Sequence, residues 1–258
     1  MSFWTFGDET MRYLNGQAFS DSHRTAMATV RTTPAMTDRL ALLEDYAAGK
    51  NVLHVGCCDH VELIREKIAK DIWVHGRISQ VAKKCIGIDI DQDAIAYVIA
   101  NFNVDNVFAM DITKERPDFI DESHWDIMML PDVIEHINDP VDFLRKIRQI
   151  YCEKIDEIVI STPNAFWVHN LLASIKSYEI INSDHRYVFT PYTLAKVMMS
   201  AGFRIKEFTM VSTVPWKETG RRHHIVKKLV YRRFPVLGHV IVMNAAFGRP
   251  SGLGALDS

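Results

Sequence analysis

The residues from Asn51 to His60, Asn-Val-Leu-His-Val-Gly-Cys-Cys-Asp-His, join an apolar run to a tight turn of small residues. The run reads as a strand, and Val61, Leu63, Ile64 and Ile68 continue at helical spacing. A strand–turn–helix of this kind aims backbone N–H groups and a helix N-terminus at a ligand, with little side chain in the way. A second short apolar strand, Cys85-Ile86-Gly87-Ile88-Asp89-Ile90, ends in a carboxylate. An acid at the tip of the second strand of an α/β unit can accept hydrogen bonds from both hydroxyls of a ribose. The chemistry these two pieces could do together is the binding of a nucleoside.

Val52 to Cys57 followed by Gly87-Ile88-Asp89 resembles the nucleoside-binding core of class I S-adenosylmethionine-dependent methyltransferases. Their first motif is usually V-L-D-V-G-C-G-x-G. Here His54 stands where that family usually has an acid, and Cys58 and His60 stand where it has its second and third glycines. The resemblance implies S-adenosylmethionine as cofactor, held by His54, Gly56, Cys57, Cys58, Asp89 and Ile90. The altered turn implies a loop set differently around the methionine end.

The rest of the chain extends the match. A third strand, Asn106 to Met110, ends in Asp111-Ile112. In the resembling family a carboxylate or amide here meets the adenine amino group, and an adjacent apolar side chain meets the ring. Asp111 and Ile112 suit those roles; the alternative for Asp111 is a solvated side chain that caps the following turn, and its place after a third strand favours the adenine role. A fourth strand, Trp125 to Leu130, runs into Pro131-Asp132-Val133-Ile134-Glu135-His136-Ile137-Asn138-Asp139-Pro140 and then a helix over 141–151. This segment resembles the fourth-strand region of quinone, sugar and lipid methyltransferases. It implies that Leu130 and Pro131 touch the cofactor's methionine part. The pattern H-x-x-x-F-T-P-x-T-L from His185 to Leu194, with Ala201-Gly202-Phe203, resembles the same group.

Strands over 157–161, 204–212 and 240–245 complete the set. The resemblance implies a seven-stranded Rossmann-like α/β sheet of order 3-2-1-4-5-7-6, mostly parallel with the last strand antiparallel. N-terminal helices over Met11–Leu14 and Met36–Ala48 are expected to form a cap at 1–50. The aromatics Trp4, Phe6 and Tyr13 either line the pocket or cover the sheet edge. The methyltransferase domain would span 51–248, with a basic insertion at 213–235, and the Gly/Ala/Ser-rich 249–258 would be a flexible tail. Residues 71–84 read as an extra helical turn or loop near the cofactor, because Asp89 follows Gly56 by more than the usual spacing of about 20 residues.

Composition narrows the partners. A net charge of −2 argues against a dedicated nucleic-acid binder. Cys57, Cys58, Cys85 and Cys152 form no C-x-x-C pair, so neither a disulfide framework nor a zinc site is expected. The residues Met1 to Glu9 lack the basic and apolar regions of a signal peptide, and no apolar run approaches the roughly 18 residues of a membrane span. A cytoplasmic location follows as an expectation. Arg204 to Arg233 hold nine Lys and Arg against Glu207 and Glu218. The stretch 221–233 is either a solvated face or a surface for an anionic partner, including the inner face of a membrane.

Methyl transfer from a sulfonium needs alignment and the exclusion of water. An acceptor hydroxyl also needs a base. His136 is the first candidate, the alternative being that it only hydrogen-bonds backbone and fixes the loop; His185 is the second, as base or in substrate binding; and Asp132 and Glu135 either assist or cap the next helix. No ligand cluster for a metal stands out in the sequence. The expected activity is O-methylation of a small molecule, sugar or glycoconjugate. The alternatives are methylation of a lipid-soluble acceptor such as a quinone precursor at the membrane, and a module that binds S-adenosylmethionine without catalysis.

Overall fold

The computed structural model describes residues 1–33, 38–114, 116–211 and 233–248. Its centre is a parallel sheet formed by β3 (Asn51–Val55), β4 (Lys84–Asp89), β5 (Val107–Ala109), β6 (Trp125–Pro131) and β7 (Ile155–Pro163). In β6 all but one residue is buried, as a central strand covered on both faces requires. β8 (Arg204–Val211) and β9 (Val240–Ala246) extend the sheet, and β9 runs antiparallel to both β7 and β8.

Helices join the parallel strands, and their starts are written in the sequence. Asp91 accepts from the Ala94 N–H to open α5 (Gln92–Phe102), and Asp139 accepts from the Asp142 N–H to open α7 (Pro140–Tyr151). Thr190 and Thr193 form a reciprocal cap at α9 (Pro191–Ser200), with Pro191 in the first turn. α3 (Val61–Ala69) follows the first turn, α6 (Asp118–Asp121) precedes β6, and α8 (Val168–Ile175) follows β7.

The described sheet has nine strands, not the expected seven. The order 3-2-1-4-5-7-6 holds for the seven, and two more strands are added beyond β8. These are β1 (Ser2–Phe6) and β2 (Met27–Thr32), from a region whose sequence pattern reads only as helical; α1 (Asp8–Leu14) and α2 (Arg39–Ala47) are present as well. β1 pairs antiparallel with β2 along its length and with β8 at Trp4–Phe208, which covers part of the β8 edge. Phe6 stacks on Phe208 with ring centroids 4.8 Å apart, and Trp4 lies against the same ring. Trp4 and Phe6 therefore cover the sheet and do not line a pocket. The exposed strand β2 is tied down by Arg31, which makes a two-pronged ion pair with Glu207 of β8.

Residues 71–84 form α4 (Val74–Val81), which packs on α2 and β4. The basic stretch 221–233, except Arg233, and the tail 249–258 lie outside the described residues. No helix among the described residues is long and apolar enough to cross a membrane.

Candidate functional site

The carboxyl ends of β3, β4, β5 and β6 open on a cavity of about 650 Å³. That volume suits a small-molecule site. Gly56, Cys58, Asp89, Ile90, Asp111, Ile112, Asp132, His136 and His185 all line it. His54, Cys57, Leu130 and Pro131 do not.

At one end the first turn folds over the sheet. Gly56 has φ +72°, and a Cβ there would stand 2.4 Å from Val133 Cγ2. Only glycine suits both the angle and the space. The Gly56 N–H donates to Ile88 O at 2.8 Å, which seats the turn on β4. Asp89 accepts from the Cys58 N–H at 2.8 Å on one oxygen and from the Asp91 N–H at 3.1 Å on the other. Burial pushes its carboxyl up, and these N–H bonds act in the opposite direction. Each oxygen keeps a lone pair that can accept a ligand hydroxyl. Cys58, in a glycine's place, supplies its backbone N–H to Asp89 and lines the cavity beside it.

Asp111 makes the contacts of a turn cap. Its Oδ1 accepts from the Thr113 hydroxyl at 2.7 Å and the Thr113 N–H at 3.0 Å, and Lys114 lies 3.3 Å from Oδ2. The Thr113 hydroxyl foremost holds its carboxyl below the ordinary range. It caps the turn and still faces the cavity beside Ile112.

Beneath the turn lies a second layer. Successive strand residues face opposite sides of the sheet. Val55 lines the cavity, and His54 turns the other way onto α4. His54 and His75 are both buried, with Nδ1 atoms 3.2 Å apart. Trp73 Nε1–H donates to Cys57 O at 3.0 Å and so props the turn from below. Trp73 and His75 belong to the segment that reads as an insertion, and nothing local in the sequence indicates what they touch.

At the other end the chain leaves β6 through Asp132, which has φ +54°, a left-handed conformation unusual for a residue other than glycine. This bend brings the 3₁₀ turn Ile134–His136 over the cavity. The Asp132 carboxylate is held by Arg39 of α2 in an ion pair. Glu135 is fully buried; its Oε2 accepts from the Thr162 hydroxyl at 2.9 Å. Burial, with the Asp132 charge second, pushes its carboxyl up to about 7. His185 Nε2 lies 3.9 Å from Glu135 Oε1, and the rings of His136 and His185 meet edge to face at 4.7 Å. Burial, then the neighbouring His136, lowers the His185 pKa. The loop that carries His185 is fixed to the turn by the Arg186 N–H, which donates to Glu135 O at 2.8 Å. The sequence brings His136 and His185 forward separately, 49 residues apart; the fold makes them one cluster around Glu135.

An open α/β sheet with its cavity at the carboxyl ends of the strands, a glycine turn and an acid on the next strand defines a nucleoside-binding class of protein. Residues 28–207 match a family of methyltransferase domains, and the chain belongs to that family. No curated protein matches the chain. Among solved structures, it is similar to a Haloferax volcanii methyltransferase in complex with the Trm112 methyltransferase activator. They share 10% identity over 81% of this chain and 88% of that one, with a TM-score of 0.51. A SAM-dependent methyltransferase from Archaeoglobus fulgidus shares 18% identity over 80% and 92%, at 0.45. Magnesium protoporphyrin IX methyltransferase from Synechocystis with bound SAH shares 12% over 80% and 79%, at 0.48.

Proposed function

We propose that this protein transfers the methyl group of S-adenosylmethionine to an oxygen of a small-molecule or glycoconjugate acceptor. One observation carries the reading: Asp89 and the Glu135–His136–His185 cluster face the same cavity. Bound there, the cofactor supplies a methyl group on a sulfonium that is its own leaving group. Asp89 accepts the ribose hydroxyls, and Asp111 with Ile112 receives the adenine. Gly56 keeps the turn clear of the methionine end. His185 sits where burial favours its neutral form, so its imidazole can take a proton from an acceptor hydroxyl. Asp132, engaged by Arg39, positions the turn.

A lipid-soluble acceptor is a second reading, favoured by a specific feature. Phe166, Leu171, Leu172, Ile175, Ile180 and Ile181 are all exposed. They flank the loop whose Asn182, Asp184 and His185 line the cavity. An apolar chain on the acceptor could lie across them. Peripheral membrane contact through 221–233 belongs to this reading.

The test is calorimetric titration with S-adenosylmethionine and S-adenosylhomocysteine, then turnover with sugar and phenolic acceptors, with and without an apolar chain. Micromolar binding that an Asp89→Ala variant loses by about 100-fold supports the nucleoside site. Binding without methylation of any acceptor leaves a cofactor-binding module. No binding overturns the reading.

A further inference from the structure

Glu135 carries an unusual atom. Its Oε1 is buried, faces the cavity cluster and has no hydrogen-bond partner among the described residues. A buried carboxylate oxygen left without a partner is destabilising unless something meets it. Its other oxygen is fixed by Thr162, so the open one is aimed, not free to turn away.

His136 is held in a telling way. Its Nδ1 lies 3.2 Å from the carbonyl oxygen of Asp184. A carbonyl only accepts, so Nδ1 carries the proton and Nε2 presents a lone pair in the neutral ring. Imidazoles that bind metal ions are commonly fixed like this, with the far ring N–H on a backbone carbonyl. One ligand atom each from Glu135, His136 and His185 lies within 4.8 Å of the other two. Ligands about 2.1 Å from a shared ion stand about 3 to 3.5 Å apart. Small side-chain rotations therefore close the set on an ion. The two contributing segments are already clamped: besides the Arg186 N–H on Glu135, Arg186 Nη1 donates to His136 O at 2.5 Å and the Tyr187 hydroxyl to Asn138 O at 2.8 Å. Cys57, Cys58 and Asp89 are also grouped closely, but both Asp89 oxygens already accept backbone N–H groups.

We propose that Glu135, His136 and His185 bind a divalent transition-metal ion, and that this ion holds the acceptor's oxygen during methyl transfer. Two imidazoles and one carboxylate suit manganese, iron, cobalt or zinc rather than magnesium or calcium, which prefer all-oxygen sites. Three protein ligands leave coordination positions for the acceptor. With the His185 lone pair on the ion, the ion takes over from that imidazole in removing the proton: the acceptor oxygen binds the ion, and its proton leaves to water. The oxygen lone pair then forms the bond to the methyl carbon as the sulfur–methyl bond breaks. That electron pair stays on sulfur, which becomes a neutral thioether. The role assigned to the ion rests on the methyltransferase reading; ion binding itself does not.

Tag-free protein, stripped with a chelator, is titrated with Co²⁺ and followed by calorimetry and by visible absorption, which reports nitrogen ligation. The expected result is one ion per chain at micromolar affinity, weakened at least tenfold in Glu135→Gln and in His185→Ala. Affinity for S-adenosylhomocysteine, measured separately, stays within twofold in both variants and shows that they are folded. His60→Ala, which alters an exposed histidine on the cavity wall, leaves Co²⁺ affinity unchanged. Co²⁺ binding absent from the wild type, or equal in the wild type and a Glu135→Gln/His185→Ala double variant, overturns the proposal. Retained S-adenosylhomocysteine binding in that case leaves the methyltransferase reading standing. Co²⁺ binding without S-adenosylhomocysteine binding supports the ion site and removes that reading instead.

Discussion

Two pairs of histidines lie in different parts of the molecule. His54 and His75 stack nearly parallel, with ring centroids 5.4 Å apart, and are both buried behind the first turn. His136 and His185 meet edge to face at 4.7 Å on the wall of the cavity. Each region holds a buried polar atom without a hydrogen-bond partner among the described residues, His54 Nε2 in one and Glu135 Oε1 in the other. The first pair does not line that cavity. Burial holds His54 well below its ordinary pKa and His75 down at about 4, so both are neutral packing groups. The second pair has a carboxylate beside it and a ligand-sized space in front. Access and an acidic neighbour, not residue type, separate the two pairs.

The comparison can be broken at several points. The largest effect expected is on turnover: His185→Ala should lower kcat/KM by about 10²–10⁴-fold while moving the melting temperature by only a degree or two. His75→Ala should do the reverse. It empties a buried site and strands His54, at about 3 kcal/mol of stability, or roughly 6–12 °C in a thermal melt of a chain this size. Its affinity for S-adenosylhomocysteine, measured where it is folded, should stay near that of the wild type. If His75→Ala loses turnover without losing stability, the two pairs have been assigned the wrong way round.

The two regions should also respond to pH with opposite sign. The folded pKa of His75 is about 4, below its ordinary 6.5, so the unfolded chain binds more protons between those values. Its contribution is lost as pH falls from 6.5 towards 4. The folded pKa of Glu135 is about 7, above its ordinary 4.5, so the folded chain binds more protons there. Stability from Glu135 is lost as pH rises from 4.5 to 7. Each group contributes a slope of up to about 1.4 kcal/mol per pH unit. In urea denaturation at a series of pH values, His75→Gln should flatten the acid-side loss, and Glu135→Gln should remove the opposing term. Slopes that shift in the same direction in both variants would contradict the two environments described. The smallest effect belongs to Asp132→Asn, which keeps a side chain tolerant of the left-handed angle and gives up the ion pair with Arg39. It should change stability by no more than about 1 kcal/mol and turnover by only a few-fold; a loss as large as that of His185→Ala would make Asp132 a catalytic group.

Much of this architecture is legible in the residues alone. The turn at Gly56 and the acid at Asp89 stand out because strand–turn–helix chemistry is local, and the caps at Asp91 and Thr190 are read within four residues; the helix after β6 is capped by Asp139, not by Asp132 or Glu135. The strands β1 and β2 do not stand out in this way, although Ser2–Phe6 is rich in aromatics and Met27–Thr32 contains two threonines and a valine. Strand preference depends on what the strand pairs with, and their partner β8 lies nearly two hundred residues away. Placing His54 at the cofactor end follows the family's acid at that position; its ring instead packs on α4, which an insertion supplies.

The sequence by itself determined the succession of the seven core strands, the glycine turn with the acid that follows it, and the family to which the chain belongs, because each is set by short-range pattern. Tertiary structure decided which polar residues meet. Asp132, Glu135, His136 and His185 reach one cavity only because a left-handed residue bends the chain after β6 and Arg186 pins a loop 50 residues further along onto the turn. Such convergence is a property of distances across the fold, and no spacing within a single segment encodes it.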